Sequence, residues 1–215
     1  MPVAGGLLAL GALLSTPRGA AAAPLTIPAA SAVGPAGPQG TGACAQARHE
    51  IPGHWILSIA QSATLLDGPL GELEEVRFVV TATDFTNGTL NAQGDFSLDL
   101  PLPFSGLGTP TGDGQLIAMR WIGELRVAAA GVKTFAVRAD DGYALVIAGQ
   151  SIVKYAGTQT PHVDSRAVTF EAPGRYPLEV LYFENYTDAV LELSMAEGEH
   201  RIGVVLEIKD LEGVT

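Results

Sequence analysis

The chain of 215 residues holds a single cysteine, Cys44, so no disulfide can form within it. Basic residues are scarce: 12 Lys and Arg stand against 23 Asp and Glu, a formal net charge of -11. Nucleic acids and anionic membrane surfaces both need a basic face, so neither is expected as a partner. Long apolar runs are missing too. The run from Ala4 to Leu14 falls short of the roughly 20 residues that span a bilayer, and nothing later is long and apolar enough for direct membrane insertion. No sustained helical period competes with the shorter patterns described below. No G-x-S-x-G elbow, P-loop or dinucleotide fingerprint occurs. The four histidines, His49, His54, His162 and His200, lack a metal-ligand spacing such as H-E-x-x-H. The chain is read as a non-enzyme with no catalytic residue assigned, although carboxylates distant in sequence can meet in space as a glycosidase pair.

Glycine (26) and proline (14) are plentiful, which favours strands and turns over a helical bundle. The start, "MPVAGGLLALGALLSTPRGAAAAP", is an apolar run followed by small residues. That is the pattern of a secretory signal, here residues 1–23 with cleavage near Ala22 or Ala23, although no Lys or Arg precedes the run. The expected location is secreted or at the cell surface. Residues 24–48, rich in Pro, Ala and Gly, read as a linker. Cys44 would then be an inert thiol in a flexible segment, or the partner of a cysteine on another chain. One folded domain is expected over residues 49–215.

Within that domain, short apolar runs alternate with turn signals. "WILSIA" from Trp55 and "EVRFVVTAT" from Glu75 read as the first strands, with Trp55 in the core. Asn87-Gly88 reads as a hairpin turn, and Ser105 to Gly114 as a Gly/Pro-rich loop. The runs "QLIAMRWIGELRV", "KTFAVRA", "YALVIAG", "RAVTFEA", "YPLEVLYFEN", "AVLELSMAE" and "RIGVVLEI" follow. Several alternate apolar with polar residues, as half-buried strands do. In the second, Phe135 and Val137 face one way, while Lys133 and the tip of Arg138 reach water. Many strands at short spacing make an all-β, antiparallel β-sandwich or barrel.

Asp140-Asp141-Gly142 lies between two apolar strands. A turn needs one Asp and a Gly, and a second adjacent carboxylate adds repulsion without adding turn propensity. Either both are solvated, or a cation sits between them. Tyr143, Tyr155, Tyr182 and Tyr186 carry faces on which a sugar can stack. Tyr143 and Tyr182 lie within strands and are assigned to packing, as is Trp121. Asn87-Gly88-Thr89 and Asn185-Tyr186-Thr187 both satisfy the N-glycosylation pattern.

Taken in order, Arg120-Trp121-Ile122-Gly123, Thr134-Phe135, Asp140-Asp141-Gly142 and Ile147-Ala148-Gly149 resemble the centre of the protective-antigen-like (PA-fourteen) domain. That family was first defined in a bacterial toxin and is shared by yeast adhesins and bacterial glycosidases. "EAPGRYPLEVLYFENYTDAVLELSM" is similar to its closing hairpin, and the match runs from Gln115 to Met195. Ala148 departs from the Asp that many members carry there. The resemblance implies a β-sandwich. It also implies a cis peptide between Asp140 and Asp141, with both carboxylates on one calcium ion and an Asn of the closing hairpin, matched by Asn185, beside them. Calcium takes 6–8 oxygen ligands of this hard type, and an ion with open positions can take vicinal sugar hydroxyls.

Further ligand contacts are then expected from Tyr186, Thr187 and Asp188 in the hairpin loop, from Gly142, and from His162 in the loop "AGTQTPHVDS". The function implied is calcium-dependent binding of glycans or glycoproteins in adhesion or recognition. Alternatives are recognition of a like protein on another cell, as at the distal end of myxobacterial outer-membrane-exchange receptors, or an accessory module of a glycoside hydrolase.

Overall fold

The computed structural model describes residues 24–38, 42–49, 55–71, 73–80, 84–86, 116–185, 189–199 and 211–213. Two mostly antiparallel sheets face each other and one helix lies on the larger. The smaller sheet has the order β1 (Leu25–Ile27), β9 (His162–Phe170), β6 (Gly131–Asp140), β11 (Val190–Glu197), β4 (Asp84–Thr86). The larger runs β3 (Glu74–Val80), β2 (Ala43–His49), β5 (Ile117–Val127), β10 (Gly174–Glu184), β7 (Gly142–Ile147), β8 (Gln150–Tyr155). A short β12 (Leu211–Gly213) also pairs with β5. Among the described strands only β1 and β9 run parallel. The all-β sandwich expected from the sequence is therefore present.

Period-two alternation sets the two faces of each strand. On β10 the inward residues Tyr176, Leu178, Val180 and Tyr182 join Trp121, Phe135, Leu145 and Phe170 in one core. Trp121 is 2% exposed, as its mid-strand position implied. The rings of Phe170 and Tyr176 meet edge to face at 5.0 Å. Leu181 and Phe183 point the other way, out of the sandwich, and are covered by α1 (Ile59–Asp67) through Ile59 and Leu66. Both faces of the last residues of β10 are thus buried, which matters for the site below.

Four expectations need correction. Residues 24–48 are not a linker: they supply β1 and β2, so Cys44 sits exposed on a paired strand rather than in a flexible segment. Composition hides β2 because its inward residues are the small Ala43, Ala45 and Ala47; Ala45 pairs with Trp121. Second, "WILSIA" is not a strand. Residues 55–57 lead into α1, and Trp55 is 52% exposed rather than core. Ser58 caps the helix, its Oγ accepting from the Gln61 N–H at 3.2 Å, while Gln61 Oε1 accepts from the Leu57 N–H at 2.8 Å. This is a close relative of the capping box, with apolar residues at Ile59 and Leu66 on the inner face. Third, Lys133 does not reach water. It is buried and pairs with Glu197, its cross-strand neighbour on β11. Fourth, β3 begins at Glu74, one residue early, because it pairs with β2 as far as His49.

The hairpin at Asn87-Gly88, the loop from Ser105 to Gly114, the strand "RIGVVLEI" and the signal segment 1–23 lie outside the described residues. At the β7–β8 turn, Ala148 adopts a left-handed φ of 51° and Gly149 one of 74°. The Ala148 N–H donates to the Pro177 carbonyl at 2.7 Å. Its departure from the common Asp therefore shapes a turn remote from the Asp pair.

Candidate metal centre

β6 belongs to the smaller sheet and β7 to the larger, so Asp140–Asp141 crosses from one layer to the other at one end of the sandwich. The peptide between them is cis. β10 delivers the other half: Phe183 pairs with Gly142, so Glu184 and Asn185 arrive beside Asp141. Oxygens of Asp140, Asp141 and Glu184 all lie within 4.8 Å of one another. The three residues are 5%, 5% and 0% exposed.

The carboxylates of Asp141 and Glu184 and the backbone carbonyl of Asp140 are each held by a hydrogen bond. Asp141 Oδ1 accepts from the Gln159 N–H and Oδ2 from the Asn185 N–H, both at 2.9 Å. The Tyr182 hydroxyl shares its one proton between the Asp140 carbonyl at 2.5 Å, the main acceptor, and Glu184 Oε2 at 3.3 Å. Burial raises the pKa of Asp141, against the lowering effect of the two backbone N–H donors. Burial also raises that of Tyr182, and the acidic charges of Glu184, Asp140 and Asp141 add to it.

The buried Oδ1 of Asn185 accepts no hydrogen bond from the described residues. A buried amide oxygen left unmatched costs on the order of 1–3 kcal/mol, and here it belongs to a residue that follows Glu184 in the chain and bonds Asp141 through its N–H. A divalent cation fits this donor set. Oxygens bound to one ion at 2.3–2.6 Å stand at most about 5 Å apart, so a 4.8 Å spread is within reach of one ion. The set is all oxygen, which suits a hard cation such as calcium, magnesium or manganese rather than a metal favouring nitrogen or sulfur.

Gly142 is required for packing rather than for a turn. A Cβ there would stand 2.2 Å from Phe183 Cε1 and 2.8 Å from the Gly157 carbonyl oxygen. It is buried, so its contribution is to let β7 approach β10 behind the Asp pair. His162 pairs in register with Ala139, which places it on the strand beside the site. Its side chain is largely exposed, with Nε2 3.8 Å from Asp164 Oδ1. Asp164 Oδ2 in turn accepts from the Tyr143 hydroxyl at 2.5 Å. Tyr143 and Tyr182 are fully buried, in keeping with a packing role. Tyr155 is 39% exposed. Tyr186, Thr187 and Asp188 lie outside the described residues.

Sequence reasoning passed over two contributors, Glu184 and Gln159. Glu184 was legible: counting by two from Tyr176 puts it on the inward face of β10, where a carboxylate calls for a partner. Gln159 lies in an irregular connection and carried no signal.

Comparison with known proteins agrees with the fold. The sequence model of the PA14 domain matches residues 108–204. The chain is similar in structure to the PA14 domain of the MpAFP antifreeze protein, with a TM-score of 0.58 and 17% identity over 82% of this chain and 93% of that one. It is similar to a PA14 sugar-binding domain from an RTX adhesin, with a TM-score of 0.56 and 21% identity over 74% of this chain and 90% of that one. The A domain of epithelial adhesin 6 from Candida glabrata, solved in complex with Galb1-3GlcNAc, gives 0.54 and 15% identity over 84% and 91%. No curated protein matches the chain in sequence. These likenesses establish the PA14-type fold.

Proposed function

We propose that this PA14-type sandwich is a non-catalytic, calcium-dependent carbohydrate-binding module that serves adhesion or recognition on an exported or surface-displayed protein. The observation that carries the reading is the buried cluster of Asp140, Asp141 and Glu184, with Asn185, whose Oδ1 is buried and unmatched among the described residues, bonded to Asp141 through its N–H. The sugar-binding descriptions of two structural neighbours support the choice of ligand. Asp140, Asp141, Glu184 and Asn185 would hold the ion. Once bound, calcium supplies positive charge to the buried carboxylates and coordination positions for vicinal hydroxyls.

The rest is done by the chain itself. Tyr182 fixes Asp140 and Glu184 from the core side. Gly142 and Phe183 bring the two halves of the site together. Tyr186, Thr187 and Asp188 follow Asn185 in sequence and would select among ligands, with Tyr186 offering a flat apolar face and Asp188 an acceptor for hydroxyls. His162 and the exposed Tyr155 would border the ligand. Export rests on the apolar segment at the start of the chain; among the described residues no helix is long and apolar enough to cross a membrane.

The test is a glycan array probed with calcium and with chelator, repeated with Asp140→Ala. Binding that needs both calcium and Asp140 supports the reading. Glycan binding that survives chelator, or a protein that takes up calcium yet binds no glycan, overturns the carbohydrate assignment. In the second case, calcium-dependent aggregation of beads coated with this protein would point to recognition of a like protein.

A further inference from the structure

We propose that Gln159 is the positioning residue of the acidic centre, and that its amide is the group chosen to hold the Asp pair without competing for the cation. The inference rests on the cation reading above and assigns a role outside the ligand set. Gln159 lies in the connection between β8 and β9. Its backbone N–H donates to Asp141 Oδ1 at 2.9 Å. Its side-chain Nε2 donates to the Asp141 carbonyl at 3.0 Å and to the Ala139 carbonyl at 3.3 Å. One residue therefore grips the carboxylate of Asp141 and the backbone on both sides of Asp140.

The chemistry of the side chain is specific to this task. A primary amide has two N–H donors and no charge, so it can satisfy two carbonyls at once. Lysine or arginine in its place would bring a positive charge to the carboxylates and compete with the ion. Glutamate would set an acceptor against two acceptors and add a further negative charge. The grip also leaves capacity on the ligand. Each oxygen of Asp141 takes one backbone N–H, from Gln159 and from Asn185. A carboxylate oxygen has about two lone pairs, so one remains on each for a cation.

The connection carrying Gln159 is itself anchored. The Ile59 N–H, in the first turn of α1, donates to the Ala156 carbonyl at 2.9 Å. The Tyr155 hydroxyl donates to the Thr158 carbonyl at 3.3 Å. The Gly157 carbonyl sits directly over Gly142. Gln159 is thus placed by α1 and β8, elements that contribute no ligand, and acts on the site through Asp141.

The experiment compares wild type with Gln159→Leu and Gln159→Lys, using Gln150→Leu as a control because Gln150 also donates to a backbone carbonyl but at an exposed position on Thr26. Calcium affinity is measured by titration calorimetry, and terbium uptake by luminescence excited through the tyrosines next to the cluster. Stability without ion is measured by urea unfolding in chelator. Groups that orient metal ligands typically contribute about 10–100-fold in affinity, and Gln159→Leu is expected to weaken the calcium Kd by that factor. Gln159→Lys is expected to weaken calcium as much or more while unfolding at higher urea in chelator than Gln159→Leu, an opposition that a purely structural role would not produce. Gln150→Leu should match wild type. A Gln159→Leu protein that loses stability in chelator but keeps the wild-type Kd overturns the proposal. Should that variant not fold, an unchanged Kd in Gln159→Lys overturns it equally. If wild type binds neither calcium nor terbium, the cation reading itself fails and this inference falls with it.

Discussion

Asn185 donates its backbone N–H to Asp141 Oδ2 across 2.9 Å, joining two segments that stand 44 positions apart in the chain. The bond lies at the end of the sandwich where Asp140–Asp141 crosses between the sheets, and it brings Asn185 to the cluster of three carboxylates. The geometry leads to four predictions.

Calcium should stabilise the fold. A ligand that binds only the native state adds about 2.7 kcal/mol at a hundredfold excess over Kd. For a domain of this size each kcal/mol moves Tm by about 2–4 °C, so saturating calcium should raise Tm by about 5–10 °C over chelator. Asp141→Asn should lose most of that increment. Scanning calorimetry of both proteins in both conditions is the check, and equal increments would place the ion elsewhere.

Glu184→Gln separates affinity from stability. Three buried carboxylates without an ion repel one another, so neutralising one should leave Tm in chelator unchanged or higher. The same change removes a charged ligand and should shrink the calcium increment. A variant that is less stable in chelator yet keeps the full increment would show that Glu184 serves packing alone.

Gly142→Ala should be costly although alanine is the smallest possible addition. Its Cβ would overlap the Phe183 ring at 2.2 Å. Overpacking of this kind costs about 1–3 kcal/mol. Because the strain falls between the two halves of the site, calcium affinity should drop as well. Urea unfolding and calcium titration test both parts, and a fully stable variant with native affinity would contradict the packing account.

Acid should remove a contribution that does not depend on calcium. Burial alone would raise the pKa of Glu75, but hydrogen bonds from Gln46, Arg48 and Arg77 outweigh it and bring the value from 4.5 to about 2. A carboxylate whose native pKa is depressed stabilises the fold above its unfolded value and loses that effect as pH falls toward the native one. The Tm difference between wild type and Glu75→Gln should be constant above pH 4.5 and shrink between pH 4.5 and about 2. In calcium-free buffer this readout is independent of the metal centre. A difference that stays constant through this range would argue against the bonded carboxylate of Glu75.

How much was legible differs from element to element. Alternation in "KTFAVRA" and "YPLEVLY" is enough to define strands and their inward faces, because a strand's side chains must point to opposite sides whatever lies around them. Asp140-Asp141-Gly142 stood out for a similar local reason, since adjacent like charges at a turn need an explanation. The strand character of Ala43, Ala45 and Ala47 was not legible. Alanine has little tendency to form strands by itself, and β2 exists because β3 and β5 pair with it on either side. α1 was missed although Ser58 and Gln61 form its cap, because its apolar face was read as a strand without regard to what it covers. The sequence by itself determined the alternating strands, the acidic motif and the Asn that follows the last long strand. Tertiary structure decided that Glu184 lies with Asp140 and Asp141, that Gln159 grips them, and that Lys133 is buried. Those outcomes depend on which strands pair and which face the helix covers, and these are set by the burial of the whole core rather than by any run of neighbouring residues.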